Sequence, residues 1–250
     1  LAAIGTSDGE ETSWNPLINN EGSNEVRDLK INGSEIFVAG TFSSIGGSTR
    51  NRLAKIGTNG TVDGSWDPNA NGAVNAIAVD STSNTTAIYA GGAFTTIGGT
   101  TRNRLAKIGT SGSGTLDATW NPNAGAAVNA VTVSGSTIYA GGAFTAVNGG
   151  TTRNRITALN NTDGTASAWD PNAGGDVNAI VINGSDVYVG GAFTTVNGAT
   201  TRNRLAAFTT SSATAASWNP NANGAVNALA VSGSNVYAAG AFTTIGVTTR

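Results

Sequence analysis

Nine of the 13 basic residues sit in a repeated T-R-N-R segment: Arg50, Arg52, Arg102, Arg104, Arg153, Arg155, Arg202, Arg204 and Arg250. A guanidinium returning at one place in every repeat suits bidentate capture of an anionic group, or stacking on an aromatic face. The five tryptophans recur as well, at Trp14, Trp66, Trp120, Trp169 and Trp218, each followed by Asn or Asp and then Pro. An indole beside amide and guanidinium donors is a platform for a sugar. The candidate ligand-binding residues are therefore Trp14, Trp66, Trp120, Trp169 and Trp218 with Arg50, Arg102, Arg153, Arg202 and Arg250. The same side chains serve structure equally well. Arg can bond loop carbonyls or Asp67 and Asp170, and Trp can wedge between layers. Structural use is the preferred expectation.

Composition removes most other chemistry. The chain has no His and no Cys, so a Ser-His-Asp triad, a thiolate nucleophile and a Cys-ligated zinc are all excluded. Carboxylate-pair hydrolysis of a glycoside would need Glu25, Asp28 and Asp176, which stand near the starts of two strands. Asp67-Pro68-Asn69-Ala70-Asn71-Gly72 matches the first half of a calcium loop, but the twelfth position is Ala78 rather than Glu. The corresponding loop of the last repeat carries Asn219, Asn221 and Asn223, with no charge. No metal, no cofactor and no enzymatic activity are expected. Net charge is −2, and no apolar run approaches the roughly 20 residues of a spanning helix, so neither nucleic acid nor membrane insertion is expected.

The elements that must position these residues follow from the repeat. Trp spacings are 52, 54, 49 and 49, and the Phe of the G-x-F element (Phe42, Phe94, Phe144, Phe193, Phe242) gives 52, 50, 49 and 49. A period near 50 predicts a repeat architecture. In the second copy the extended runs are Val74–Val79, Ala87–Phe94, Arg104–Ile108 and Thr115–Trp120. Four short antiparallel strands per unit, separated by Gly- and Asn-rich turns, predict a propeller blade, with strands A to D running outward from the axis. The expected fold is all-β: a single five-bladed β-propeller over residues 1–250, and a fragment of a longer protein. Leu1-Ala2-Ala3-Ile4 matches the third strand Leu53-Ala54-Lys55-Ile56, while Tyr237–Arg250 finish a second strand and its loop. The N-terminal C and D strands are expected to pair with the C-terminal A and B strands and close the ring, removing open sheet edges. Five repeats cut from a longer array are the alternative.

The first full copy departs from its siblings. VNAIAV becomes Val26-Arg27-Asp28-Leu29-Lys30-Ile31, which puts charges on the expected innermost strand, either paired or facing a wet channel. Sequons at Asn32, Asn59, Asn84, Asn160 and Asn183 are expected by chance in so Asn-rich a chain.

The set W-[ND]-P-N followed by V-N-A, then IYAGGAFT, then TRNRLA resembles the delta-60 type of bacterial β-propeller repeat. That kelch-like group of unknown function is found in large secreted and surface proteins. A more distant likeness is to the fungal cortical polarity marker propellers. The resemblance implies a propeller at the cell surface or outside the cell and brings no catalytic residues. Asp80-Ser81-Thr82 resembles a short bacterial O-glycosylation motif. The expected function is a non-catalytic extracellular binding or spacer module whose partner is a protein, a glycan or other domains of the same polypeptide. The alternative is a multivalent lectin with one sugar site per blade, and the weakest reading is a glycosidase.

Overall fold

The computed structural model describes residues 1–18, 24–80 and 86–249. The Asp80–Thr82 motif and the sequon at Asn84 fall largely outside these residues, and Arg250 lies wholly outside them. Every regular element among the described residues is a strand.

The first copy holds β1 (Val26–Asn32), β2 (Glu35–Gly40), a small hairpin of β3 (Ser44–Ile45) and β4 (Ser48–Thr49), and β5 (Leu53–Gly57). The second repeats this as β6 (Val74–Asp80), β7 (Ala87–Gly92), β8 (Thr96–Ile97), β9 (Thr100–Thr101) and β10 (Leu105–Gly109). The third holds β11 (Val128–Ser134), β12 (Thr137–Gly142), β13 (Ala146–Val147), β14 (Thr151–Thr152) and β15 (Ile156–Asn160). The fourth holds β16 (Val177–Asn183), β17 (Asp186–Gly191), β18 (Thr195–Val196), β19 (Thr200–Thr201) and β20 (Leu205–Thr209). The fifth has β21 (Val226–Ser232), β22 (Asn235–Gly240), β23 (Thr244–Ile245) and β24 (Thr248–Thr249).

In each of the first four copies the A, B and C strands form a three-stranded antiparallel sheet with B in the middle; among the described residues the fifth has A and B alone. The expected fourth strand, Thr115–Trp120, is reduced to one bridge, Ile108 to Leu116, and the other copies behave alike. The reason is competition for its carbonyls. Asp117 and Ala118 give theirs to the Arg102 guanidinium at 3.0 and 2.9 Å, so the ladder ends after one rung.

All five A–B pairs share one irregularity. The register slips by one residue after the first Val, leaving Arg27, Asn75, Asn129, Asn178 and Asn227 as the extra residue of a bulge. The bulge brings the A-strand backbone close to the end of strand B. A Cβ on Gly92 would stand 2.1 Å from the Ala73 carbonyl oxygen, and one on Gly142 2.2 Å from that of Ala127. Hence the second Gly of A-G-G-A-F.

The chain divides into two compact units, Leu1–Ala118 and Thr119–Arg250. Within the first, β1 lies against β6; within the second, β11 lies against β16 and β16 against β21. The A strands thus converge between neighbouring copies. In the first unit one apolar cluster joins Phe37, Ala39 and Leu53 of the first copy to Trp66, Val74, Ile77, Ile88 and Phe94 of the second. In the second unit Tyr139 and Ile156 meet Trp169, Val177, Val187 and Phe193 in the same way. Each core is therefore built between copies. The aromatic of strand B meets the next copy's indole edge-on: Phe37–Trp66 at 5.4 Å, Tyr139–Trp169 at 5.0 Å and Tyr188–Trp218 at 5.2 Å between centroids.

Candidate functional site

The repeated Arg and Trp are tied into the frame. Trp66 and Trp120 are fully buried and Trp169 nearly so, while Trp14 and Trp218 are half-buried. Four indole N–H groups donate to the carbonyl that ends a C strand: Trp14 to Gly57 (3.1 Å), Trp66 to Gly109, Trp120 to Asn160 and Trp169 to Thr209 (2.9 Å each).

Each described first Arg of the T-R-N-R segment clamps a loop. Arg50 donates to the carbonyls of Thr49, Asp63 and Gly64, and Arg102 to those of Thr101, Asp117 and Ala118. Arg153 reaches the Thr152 and Ser167 carbonyls, and Arg202 those of Thr201 and Ala216. Asp67 stands 4.0 Å from Arg50, and Asp170 stands 3.8 Å from Arg153. The second Arg of the segment holds a positive φ, from 63 to 65°, at Arg52, Arg104, Arg155 and Arg204. That conformation costs about 1–2 kcal/mol for a side chain with a Cβ. It lets Arg52 accept from Gly40 N–H while donating its own N–H to Phe42, and the other copies repeat the pair.

The acids weighed for hydrolysis are engaged by cations: Glu25 with Arg27 at 3.1 Å, Asp28 with Lys30 at 2.5 Å, and Asp176 with Arg155 at 3.6 Å. The charges of the divergent A strand are thus paired, and Asp28 also accepts the Ile77 N–H at 2.8 Å. Among the described residues, no three acidic groups gather in a way that could hold a metal ion.

A more heavily charged cluster lies on the outer strand of the first copy. Lys55 bonds Glu35 at 3.0 Å, Asp63 at 2.9 Å and the Thr110 carbonyl at 2.9 Å. Desolvation works to lower the Lys55 pKa, but the bonds to Asp63 and Glu35 outweigh it and the net shift is upward. Hydrogen bonds from Ser65, then from Lys55, hold the Asp63 carboxyl far below the usual carboxylate range.

Two arrangements escaped the sequence reading. The bulged residues form a line of polar side chains across copies. Arg27 donates to Asn75 at 2.7 Å, Asn129 to Asn178 at 3.4 Å and Asn178 to Asn227 at 3.3 Å. The signal was present in the recurring V-N-A, but only the bulge explains an Asn inside a strand.

The second arrangement lies where the B–C hairpin crosses the segment after strand C. Asn148 donates to the Gly164 carbonyl at 2.9 Å and accepts the Ala166 N–H at 2.9 Å. Asn197 does the same with Ala213 (2.8 Å) and Ala215 (2.9 Å). In the first two copies the equivalent position is Gly46 or Gly98. A Cβ on Gly46 would meet the Val62 side chain at 2.6 Å, whereas one on Gly98 would have only the Pro68 carbonyl, at 3.7 Å. Beside Gly98 lies a groove of about 340 Å³ lined by Asp67, Pro68, Thr100, Gly114, Thr115 and Leu116.

Residues 35–65 and 88–119 match the beta-propeller family described as a domain of unknown function (DUF5122). No curated protein matches the chain. Among solved structures, the chain is similar to the computationally designed Ika4 protein, at 12% identity and a TM-score of 0.46, over 76% of this chain and 94% of that one. It is also similar to U3-55K, at 11% identity and a TM-score of 0.45, over 87% of this chain and 74% of that one. The all-β sheets and the family match support a β-propeller domain of unknown function.

Proposed function

We propose that the chain forms a closed, five-bladed, non-catalytic propeller that acts as a rigid binding or spacer module of a bacterial surface or secreted protein. The observation that carries this reading is the use made of the repeated side chains. Trp66 and Trp120 are sealed inside, and Arg50 and Arg102 are spent on backbone carbonyls. Repetition therefore builds the frame and leaves the variable A–B loops to differ on it. The Thr-, Ser-, Asn- and Gly-rich composition, with 11% charged residues, supports an extracellular setting.

Closure has its own support. In the fifth copy Tyr237, the counterpart of Phe37, Tyr139 and Tyr188, is 57% exposed, and among the described residues strand β22 has no third strand beside it. In the first unit a groove of about 580 Å³, lined by Trp14, Leu29, Ile31 and Ile36, uncovers the side that the second copy buries through Trp66, Ile77 and Ile88. The repeated register Val38↔Ala54, Ala140↔Thr157 and Val189↔Ala206 would pair Ala238 with Ala2. The chain has no Cys, so an Ala2→Cys/Ala238→Cys variant reports cleanly. A cross-link within one chain is the expected result; links only between chains, or none, would end the closed-ring reading. A glycan array tests the binding role. No sugar bound by the folded protein is expected, and a defined sugar lost on altering the Trp-Asn-Pro or T-R-N-R loops would make it a lectin.

A further inference from the structure

We propose that the groove beside Gly98 in the second copy binds a primary carboxamide, the group carried by an Asn or Gln side chain or by a small free amide. The argument comes from comparing copies. The segment after strand C pairs back on that strand in the same way in the second and third, although the loop before the pairing is one residue longer in the second. Gly109 donates to Thr115 O at 2.9 Å and Asp117 to Lys107 O at 2.8 Å; Asn160 donates to Thr165 O and Ser167 to Ala158 O, both at 2.9 Å. This pattern turns Gly114 C=O and Leu116 N–H away from strand β10, as it turns Gly164 C=O and Ala166 N–H away from β15. In the third copy those two outward groups hold the Asn148 carboxamide. In the second copy neither has a hydrogen-bond partner among the described residues.

The hairpin over them is anchored alike. Gly98 N–H donates to Pro68 O at 2.7 Å and Asn148 N–H to Pro122 O at 2.5 Å, with φ of 55° and 49°. What differs is the missing side chain and a hairpin loop one residue shorter, Gly98-Gly99 against Asn148-Gly149-Gly150, and the space the side chain leaves is open. A half-covered C=O and N–H without partners favour a ligand that restores both bonds at once. A primary amide carries an N–H and its C=O on the same side and can satisfy the pair. A trans secondary amide carries them on opposite sides and cannot. The Asp67 carboxylate and the Thr100 and Thr115 hydroxyls on the rim offer further bonds to the rest of the ligand.

This site is independent of ring closure and of sugar binding. The test is an amide-proton NMR titration of the whole chain with propionamide, N-methylacetamide and an acetylated Asn-containing peptide blocked as its N-methylamide. A saturable downfield shift of the Leu116 amide with propionamide is expected, with none from N-methylacetamide. Tighter binding of the peptide would identify a partner protein's side chain as the source, and equal binding would identify a free amide. In Gly98→Asn the new side chain fills the cradle as Asn148 does, and the shift is lost. No saturation in the unaltered protein, or the same curve in Gly98→Asn, would overturn the proposal.

Discussion

The second and fifth copies carry almost the same A and B strands: Val74–Asp80 with Ala87–Gly92, against Val226–Ser232 with Asn235–Gly240. In the second, every residue of β7 is buried and Tyr89 is inaccessible; in the fifth, β22 is mostly exposed and Tyr237 is open. Both pairs keep the same register and the same bulge. Local sequence therefore sets strand, turn and bulge, while burial comes from a third strand and a neighbouring copy. This is the energetics of a repeat array, in which interfaces supply what a single unit cannot.

The largest effect that probes this contrast is loss of an indole. Trp66→Ala is expected to cost about 3–5 kcal/mol in denaturant unfolding, through lost contact area and a cavity. If the ring closes as proposed, Trp218→Ala costs nearly as much. A loss less than half that of Trp66→Ala would mean that the fifth blade stays open.

Next comes the close approach at the bulge. Gly92→Ala places a methyl against the Ala73 carbonyl and is expected to cost about 1–3 kcal/mol. A Cβ on Gly240 would stand at the same 2.1 Å from the Ala225 carbonyl oxygen. Gly240→Ala should cost as much in a closed ring, and less where the two-stranded sheet is free to shift.

The outer strand gives a smaller and pH-dependent contrast. The first copy has Lys55 and Asp63 where the fourth has Ala207 and Ala216. Because the folded-state pKa of Asp63 is lowered, its contribution is present above the ordinary carboxylate pKa near 4 and is lost as pH falls below it. The Lys55 pKa is raised, so its contribution holds below about 10.5 and fades above that. Asp63→Asn should cost about 1 kcal/mol at neutral pH and flatten part of the acid limb of the stability profile. Ala216→Ser, in the copy without the pair, should leave that limb unchanged.

Much of the frame was legible in the sequence because repetition makes a pattern visible without homologues. The A, B and C strands fall within a residue or two of their expected ranges. The fourth strand was overread: Thr115–Trp120 alternates like a strand, yet its carbonyls belong to Arg102. The Arg residues do lie in the B–C segments, but a guanidinium's choice between solvent and carbonyl depends on a loop thirteen to sixteen residues onward. The cradle beside Gly98 was the hardest to see. It appears only when two copies are laid over each other and a missing side chain is set against unmatched backbone groups.

That cradle also supplies the smallest prediction, which separates an empty site from one already filled. Asn is suited to the left-handed conformation that Gly98 holds, and Asn-Gly is a favoured two-residue hairpin turn. Gly98→Asn should therefore keep the hairpin between β8 and β9. It should also reduce the freedom of the unfolded chain and add the two bonds that Asn148 makes, for a gain of about 0.5–1 kcal/mol by denaturant unfolding. The reverse change, Asn148→Gly, should lose about 1 kcal/mol or more, because it leaves Gly164 C=O and Ala166 N–H without the partner they now have. Opposite signs at the two positions would show that the same backbone pair wants the same amide in both copies. A gain at Gly98 with no loss at Asn148 would instead assign the effect to the turn alone.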